Sequence, residues 1–235
     1  GGENIIITGR DVNHIKNVKK KKKGEHILVS DGMEREYECQ ITDFGEEHVE
    51  AKIIDVFGIA AELPTKITLF QGLPKSDKME WIIQKAVELG VYEVVPVATK
   101  RAVVKLDTKK AKKKVERWNA IALSAAKQAK RGIIPEVKPV MTLKEAFGYA
   151  SSFDSSILPY EDAKGMEHSR QVLASLKGKK RIGIFIGPEG GFEESEVAEA
   201  MGQGIMPVTL GRRILRTETA GMAVLSILMF QMEEE

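Results

Sequence analysis

The hydrophobic period of this chain changes at Pro64, and that change restricts the fold more than any other feature of the sequence. Before it, from Glu25 to Phe57, apolar and polar residues alternate through His26-Ile27-Leu28-Val29, Glu36-Tyr37-Glu38-Cys39-Gln40-Ile41 and His48-Val49-Glu50-Ala51-Lys52-Ile53. A period of two puts successive side chains on opposite faces of a strand. Asp31-Gly32 and Phe44-Gly45-Glu46 supply turn chemistry between the runs, so the segment reads as antiparallel strands. Asp11 can cap one short helix, Val12 to Val18, ahead of them. A small β-barrel over residues 1–65 is the expected first domain.

Beyond Pro64 short apolar runs alternate with helical periodicity. Ile67 to Phe70 is a strand candidate, followed by Met79, Ile82, Ile83, Ala86 and Val87 on one helix face and Gly90 as a left-handed cap. Val94 to Ala98, Ser156 to Pro159, Ile182 to Ile186 and Met206 to Leu210 read as further strands. A long basic helix is expected from about Lys112 to Arg131, with Val115, Trp118, Ala122, Ala125 and Ala129 facing inward. A helix from Glu193 to Ala200 and an apolar one after Thr219 complete the pattern. Strands alternating with helices imply an α/β domain, here residues 66–235, with a parallel sheet covered on both faces.

Composition removes several classes of answer. With 43% hydrophobic and 30% charged residues the chain reads as a soluble globular protein of two small domains or one large one. Its longest apolar run, Ala220 to Phe230, falls short of the ~20 residues a membrane span needs. No cationic stretch followed by an apolar core suggests a secretion signal, so a cytoplasmic location is expected. One cysteine, Cys39, excludes an internal disulfide, and four scattered histidines offer no metal-ligand spacing, so no metal is expected. The net charge of +2 conceals a basic stretch, Thr99 to Lys138, with 13 Lys and Arg against 3 Asp and Glu. This is a candidate anion-binding surface, with a well-solvated helix face as the plainer account.

Two segments carry unusual chemistry where ligands of open α/β sheets bind, beyond the carboxyl ends of strands. Ile186-Gly187-Pro188-Glu189-Gly190-Gly191-Phe192 lets backbone pass close to a ligand, yet it matches neither a phosphate-binding Gly-Lys-Ser/Thr loop nor a dinucleotide fingerprint. An ordinary strand-to-helix turn is the alternative. Leu210 to Ala220 brings an arginine, a carboxylate and two hydroxyls to a helix start, where free N–H groups favour anions. A capped helix with a solvated Arg/Glu pair fits nearly as well.

These segments resemble, almost word for word, the bacterial 16S ribosomal RNA uridine-N3 methyltransferases, a branch of the SPOUT superfamily of knotted methyltransferases. The resemblance continues in His14 to Val18, Lys85 to Val91, Thr99-Lys100-Arg101, Gln128 to Arg131 and Leu158-Pro159-Tyr160-Glu161. It implies an N-terminal PUA-like barrel that binds RNA, a C-terminal α/β domain ending in a trefoil knot, and a homodimer paired through the last helix. The implied substrate is N3 of a decoding-centre uridine in the 16S rRNA of the small ribosomal subunit, and the implied cofactor is S-adenosylmethionine. By the same resemblance the cofactor lies against Leu158, Pro159, Ile186, Gly187, Pro188, Glu189, Gly190, Gly191, Leu210, Gly211, Ile214, Leu215, Arg216, Thr217 and Ala220. Arg216 is the candidate for stabilising charge on the uracil, and Glu218 is the candidate base with Glu189 behind it. Lys16, Lys19, Arg101, Gln128 and Arg131 are the expected RNA contacts. Ribose 2′-O-methylation and a non-catalytic RNA-binding module for ribosome assembly are the competing accounts.

Overall fold

In the computed structural model, which describes residues 4–31, 35–58, 62–104, 106–161 and 163–233, the chain divides into two compact units. Gly1–Glu62 with Arg131–Ile133 form one, and Leu63–Lys130 with Ile134–Glu235 the other. The first is built on strands β1 (Asn4–Thr8), β2 (His26–Ser30), β3 (Arg35–Phe44) and β4 (His48–Gly58), antiparallel in the order β1-β4-β3-β2. The period-two reading holds here, since Cys39, Ile41, Val49 and Ala51 are all buried. Gly32 of the expected Asp31-Gly32 turn lies outside the described residues. Register shifts at Glu38/Cys39 and Ile41/Asp43 bend the long β3–β4 pair. The expected short helix begins earlier, at α1 (Arg10–Asn13), and continues as a wider turn through His14–Val18, with Val12 packed beside Ile41 and Val49.

Lys16 and Arg131, both expected on RNA, have other duties in this unit. The Lys16 ammonium donates to the carbonyls of Gly45 and Glu46, tying it to the β3–β4 turn, while Lys19 stays exposed. Arg131 corrects the sequence reading more sharply. Its side chain is 3% exposed and donates from Nε to Glu62 at 2.7 Å. The same carboxylate accepts from the amides of Gly132 and Ile133, at 3.0 and 3.3 Å. Arg131 therefore fixes Arg131–Ile133 to the end of the first unit and presents no free cation to solvent.

In the second unit β5 (Lys66–Gly72), β6 (Glu93–Ala98), β7 (Glu136–Val137), β9 (Ser155–Pro159), β10 (Arg181–Ile186) and β11 (Met206–Val208) lie parallel in the order β11-β9-β10-β5-β6-β7, and β8 (Met141–Thr142) also pairs with β6. Alternate residues feed two separate cores. Leu69, Val94, Ile157 and Ile184 face helices α2 (Lys78–Glu88), α3 (Thr108–Gln128), α5 (Met166–Ser175) and α7 (Thr217–Met232). Phe70, Val95, Leu158 and Phe185 face α4 (Leu143–Ala150) and α6 (Glu194–Gly202). Phe70 and Phe185, neighbours on adjacent strands, stack at 4.2 Å. Strands wet on neither face cannot alternate, which is why they read as continuous apolar runs.

Helix boundaries move from their expected places. The basic helix α3 starts at Thr108 because the Asp107 carboxylate caps it, accepting from the Lys110 amide at 2.8 Å, and it ends at Gln128, before Arg131. Helix α7 begins at Thr217, so Thr217 and Glu218 stand in its first turn. Helices α4 and α5 go beyond the sequence expectations, although Thr142 and Glu145 form a capping box that announces α4. Gly90 follows α2 with φ +85°, as the spacing predicts, and a Cβ there would lie 2.8 Å from Leu63.

Arg131→Ala leaves the Glu62 carboxylate without its guanidinium. A destabilisation of about 3 kcal/mol is expected, as for one partner lost from a buried pair. Urea unfolding of the full chain measures it, and a change below about 0.5 kcal/mol would assign Arg131 to the surface after all.

Candidate active site

At the carboxyl ends of β5, β6, β9 and β10 the second unit holds a cleft of 610 Å³. The glycine-rich segment after β10 forms one wall. Its turn closes through the Gly191 amide donating to the Pro188 carbonyl at 2.9 Å, with Gly191 at φ +67°, a conformation that L side chains rarely adopt. A Cβ on Gly187 would stand 2.9 Å from the Gly191 carbonyl carbon, so the loop folds back on itself only with glycine there. A Cβ on Gly72 would meet Pro188 at 2.7 Å, which fixes the loops of neighbouring strands β5 and β10 against each other.

Thr217 ties these elements to the last helix. Its hydroxyl donates to the Gly187 carbonyl at 2.6 Å and accepts from Gln71 Nε2 at 2.8 Å, so the end of β5, the glycine loop and α7 share one buried hydroxyl. Arg101, from the segment after β6, packs on that wall and donates from Nη1 to the Gly190 carbonyl at 2.9 Å. The absent side chain of Gly190 makes room for Arg101, whose Cβ would be 3.2 Å from an added Cβ. A side chain on Gly190 would therefore press on Arg101. The segment before Arg101 is held in turn by the buried Glu196, which accepts from the amides of Lys100 at 2.9 Å and Glu193 at 2.8 Å.

The cleft's charge centre is a lysine that the sequence reading passed over. Lys78 Nζ lies 3.1 Å from Glu189 Oε1 and 3.3 Å from Glu218 Oε2, joining the start of α2, the glycine loop and the first turn of α7. Glu189 also accepts from the Lys75 amide, at 3.1 and 3.3 Å. Burial alone would push its carboxyl up, but hydrogen bonds from its own backbone and from Lys78 and Lys75 outweigh that, and the group is held below its usual range. Lys78 is held above the ordinary lysine value, first by its hydrogen bond to Glu189. Lys75 to Lys78 follow β5 directly, so the rule that ligands gather beyond strand ends could have found them.

Of the residues expected at a cofactor, Pro159, Ile186 to Gly191, Ile214, Leu215, Arg216, Thr217 and Ala220 line the cleft. Leu158 is instead buried in the core beside Phe70 and Phe185, and Leu210 packs against the other core. Gly211, at φ +115°, shapes the segment leading to α7 without lining the cleft. Among the expected RNA contacts Arg101 lines the cleft, while Gln128 is exposed at the end of α3. Tyr160 and Glu161, quoted for their resemblance alone, line it too. Among the described residues no group of three or more His, Cys, Asp or Glu could hold a metal ion, and no helix is long and apolar enough to cross a membrane.

A parallel sheet with a glycine-walled, charged cleft at its carboxyl ends, preceded by a small antiparallel unit, is the build of an RNA methyltransferase with a PUA domain. Residues 61–229 match the family model of the RNA methyltransferase domain, and residues 7–54 that of the RNA methyltransferase PUA domain. The chain belongs to the family of ribosomal RNA small subunit methyltransferase E. It is 40% identical over 230 residues to that protein of Bacillus subtilis, covering 97% of this chain and 90% of the relative. The Mesomycoplasma hyopneumoniae protein is 32% identical, with 94% and 92% covered. The Neisseria gonorrhoeae enzyme, crystallised bound to S-adenosyl methionine, superposes with a TM-score of 0.80 at 32% identity over 96% of this chain and 90% of that one. A methyltransferase of Legionella pneumophila in complex with the same cofactor gives 0.78 at 30% identity, covering 97% and 91%.

A carboxyl held below its usual range contributes stability above its unfolded value and loses it as pH falls through the folded one. Glu189→Gln is therefore expected to lower stability at neutral pH, with the difference from the parent chain shrinking as pH drops below 4.5, the ordinary glutamate value. Urea midpoints at neutral and acid pH test this, and a pH-independent difference would count against the Lys78–Glu189 pairing.

Proposed function

We propose that this chain methylates N3 of one uridine in the 16S rRNA of the small ribosomal subunit, using S-adenosylmethionine. The observation that carries the reading is the glycine-walled cleft in which Lys78 bridges Glu189, in the wall, to Glu218 in the first turn of α7. The cleft's lining suits such a cofactor. Pro159, Ile186, Ile214, Leu215 and Ala220 offer an apolar strip for an adenine, and Glu189 and Glu161 offer carboxylates to a cationic sulfonium and ammonium. When bound, the cofactor supplies an electrophilic methyl group and asks for no metal.

What remains for the chain is the N3 proton and the charge that its loss leaves on the uracil. Glu189 is a poor base, because both of its oxygens accept hydrogen bonds and its proton affinity is lowered. Its work is to hold the loop. Glu218 shares only Oε2 with Lys78, and its other oxygen is our choice to take the proton. As Glu218 becomes neutral, the Lys78 ammonium keeps its positive charge beside the uracil, where negative charge develops. Arg216, exposed at the residue preceding α7, is assigned to the phosphate or carbonyl side of the target nucleotide. Arg101 lies on the RNA approach.

Two further parts of the reading rest on the last helix. Phe230 is 83% and Ile227 37% exposed on α7. A second copy of the chain is the proposed cover, giving a two-fold homodimer. The chain end after β11 is proposed to thread the trefoil knot that the family resemblance implies, and the enzyme to act in the cytoplasm.

Nucleoside mapping by mass spectrometry of 16S rRNA from a strain lacking the protein tests the function. Loss of one N3-methyluridine is expected, and loss of a ribose methyl instead would favour 2′-O-transfer. Glu218→Gln should lower the transfer rate by about 10²–10⁴-fold with cofactor affinity retained. Gly187→Ala, which forces the loop open, should weaken S-adenosylmethionine binding more than about tenfold by calorimetry, equivalent to about 1.4 kcal/mol. Light scattering at micromolar concentration should return twice the chain mass, and a monomer would refute the dimer.

A further inference from the structure

The lysines at the start of α3 do not line the cleft, and their electrostatics run against the helix they belong to. Lys109, Lys110, Lys112, Lys113 and Lys114 fall within the first two turns, and no acidic residue stands in the first. Cations at a helix N-terminus oppose the macrodipole, and like charges three and four residues apart repel. One carboxylate, the capping Asp107, answers them, paired with Lys110 at 3.3 Å. Lys114 lays its stem along the buried Trp118, with its ammonium 5.9 Å from the ring centre. Lys109, Lys112 and Lys113 are exposed, share one face, and form no ion pair among the described residues. Glu116, on the same face, is not paired with any of them.

We infer that this face is a docking surface for the phosphate backbone of the substrate RNA next to the target nucleotide, an inference that rests on the RNA-methylating function proposed above. Three features point to phosphates. The ammonium groups are compact point charges on flexible stems, suited to sequence-independent contacts. From Lys109 to Ala120 the exposed positions carry no aromatic or large apolar residue, and the one arginine, Arg117, is already paired with Glu80, so the face lacks the anchor that a protein interface uses. Arg101 in the cleft wall is only seven residues from the start of α3, at most ~25 Å of chain, so a strand reaching the cleft passes within range of the lysines. A polyanion laid there removes both the repulsion and the opposition to the dipole. The surplus of lysine is thus unfavourable in the free protein and satisfied in the complex.

The full chain carrying Lys109→Gln, Lys112→Gln and Lys113→Gln together tests the inference. Affinity for purified small subunits and for deproteinised 16S rRNA is measured over a range of salt concentrations. The slope of log affinity against log salt is expected to become shallower by about 2–3 on both probes, as for three lost phosphate contacts. Calorimetric affinity for S-adenosylmethionine should stay unchanged and the melting temperature unchanged or higher, because the helix loses three unfavourable cations. An unchanged slope on both probes overturns the inference. A loss seen on intact subunits and absent on naked RNA also overturns it, placing a ribosomal protein against the lysines. The wild-type chain separates this from the function itself: a steep lysine-dependent slope without uridine methylation would sink the proposed reaction and leave the docking surface standing.

Discussion

The parallel pairing of β5 with β10 is the constraint on which the second unit depends. It sets Leu69 and Ile184 toward one core and stacks Phe70 on Phe185 in the other, an aromatic contact that contributes about 0.5–1.5 kcal/mol beyond its buried area. The same register delivers Gln71 and Ile186 side by side at the sheet edge, so the loops that follow leave the sheet in contact. Gly72 is small because those loops touch there, and Gly187 because its own loop turns back on it at Gly191, with no space for a Cβ at either position. The cleft is therefore a product of strand order: β5, β10 and β9 are neighbours in space, although a long stretch of chain separates the first from the other two.

Several residues of that cleft serve as anchors. Thr217, Gln71, Gly187 and Glu196 use their hydrogen bonds to hold the walls. Arg216 lines the cleft and stays exposed. Lys78 holds the glycine loop and the first turn of α7 together through Glu189 and Glu218. The opposite end of the sheet shows what a charge looks like when it serves structure alone. Glu93 is buried, accepts from Thr68 Oγ1 at 2.8 Å and the Tyr149 hydroxyl at 3.0 Å, and has Lys138 and Arg181 each 3.7 Å away. That carboxylate is enclosed by its partners.

The basic stretch from Thr99 to Lys138 separates into parts with different tasks once it is folded. Arg101 covers Gly190 at the cleft wall, Arg117 pairs with Glu80 at 2.6 Å, and Arg131 is buried against Glu62. The lysines at the start of α3 keep a free face. A charge count over a window of sequence adds these residues together, because it cannot see which carboxylate each will meet.

Local rules reach a defined depth in this chain. The alternation before Pro64, the continuous apolar runs after it and Gly90 at the end of α2 are short-range consequences of steric and burial preferences, so they can be read without coordinates. The glycine loop and the entry to α7 are legible for the same reason, since Gly187, Gly191 and Thr217 are needed by local geometry as well as by the site. The meeting of Lys78 with Glu189 and Glu218, 111 and 140 residues further along, is not legible, because it follows from strand order and not from spacing. Nor can the sequence tell Arg101 from Arg131. Both are arginines in one basic segment, and only the tertiary structure puts Glu62 within hydrogen-bonding distance of one of them and an open cleft beside the other.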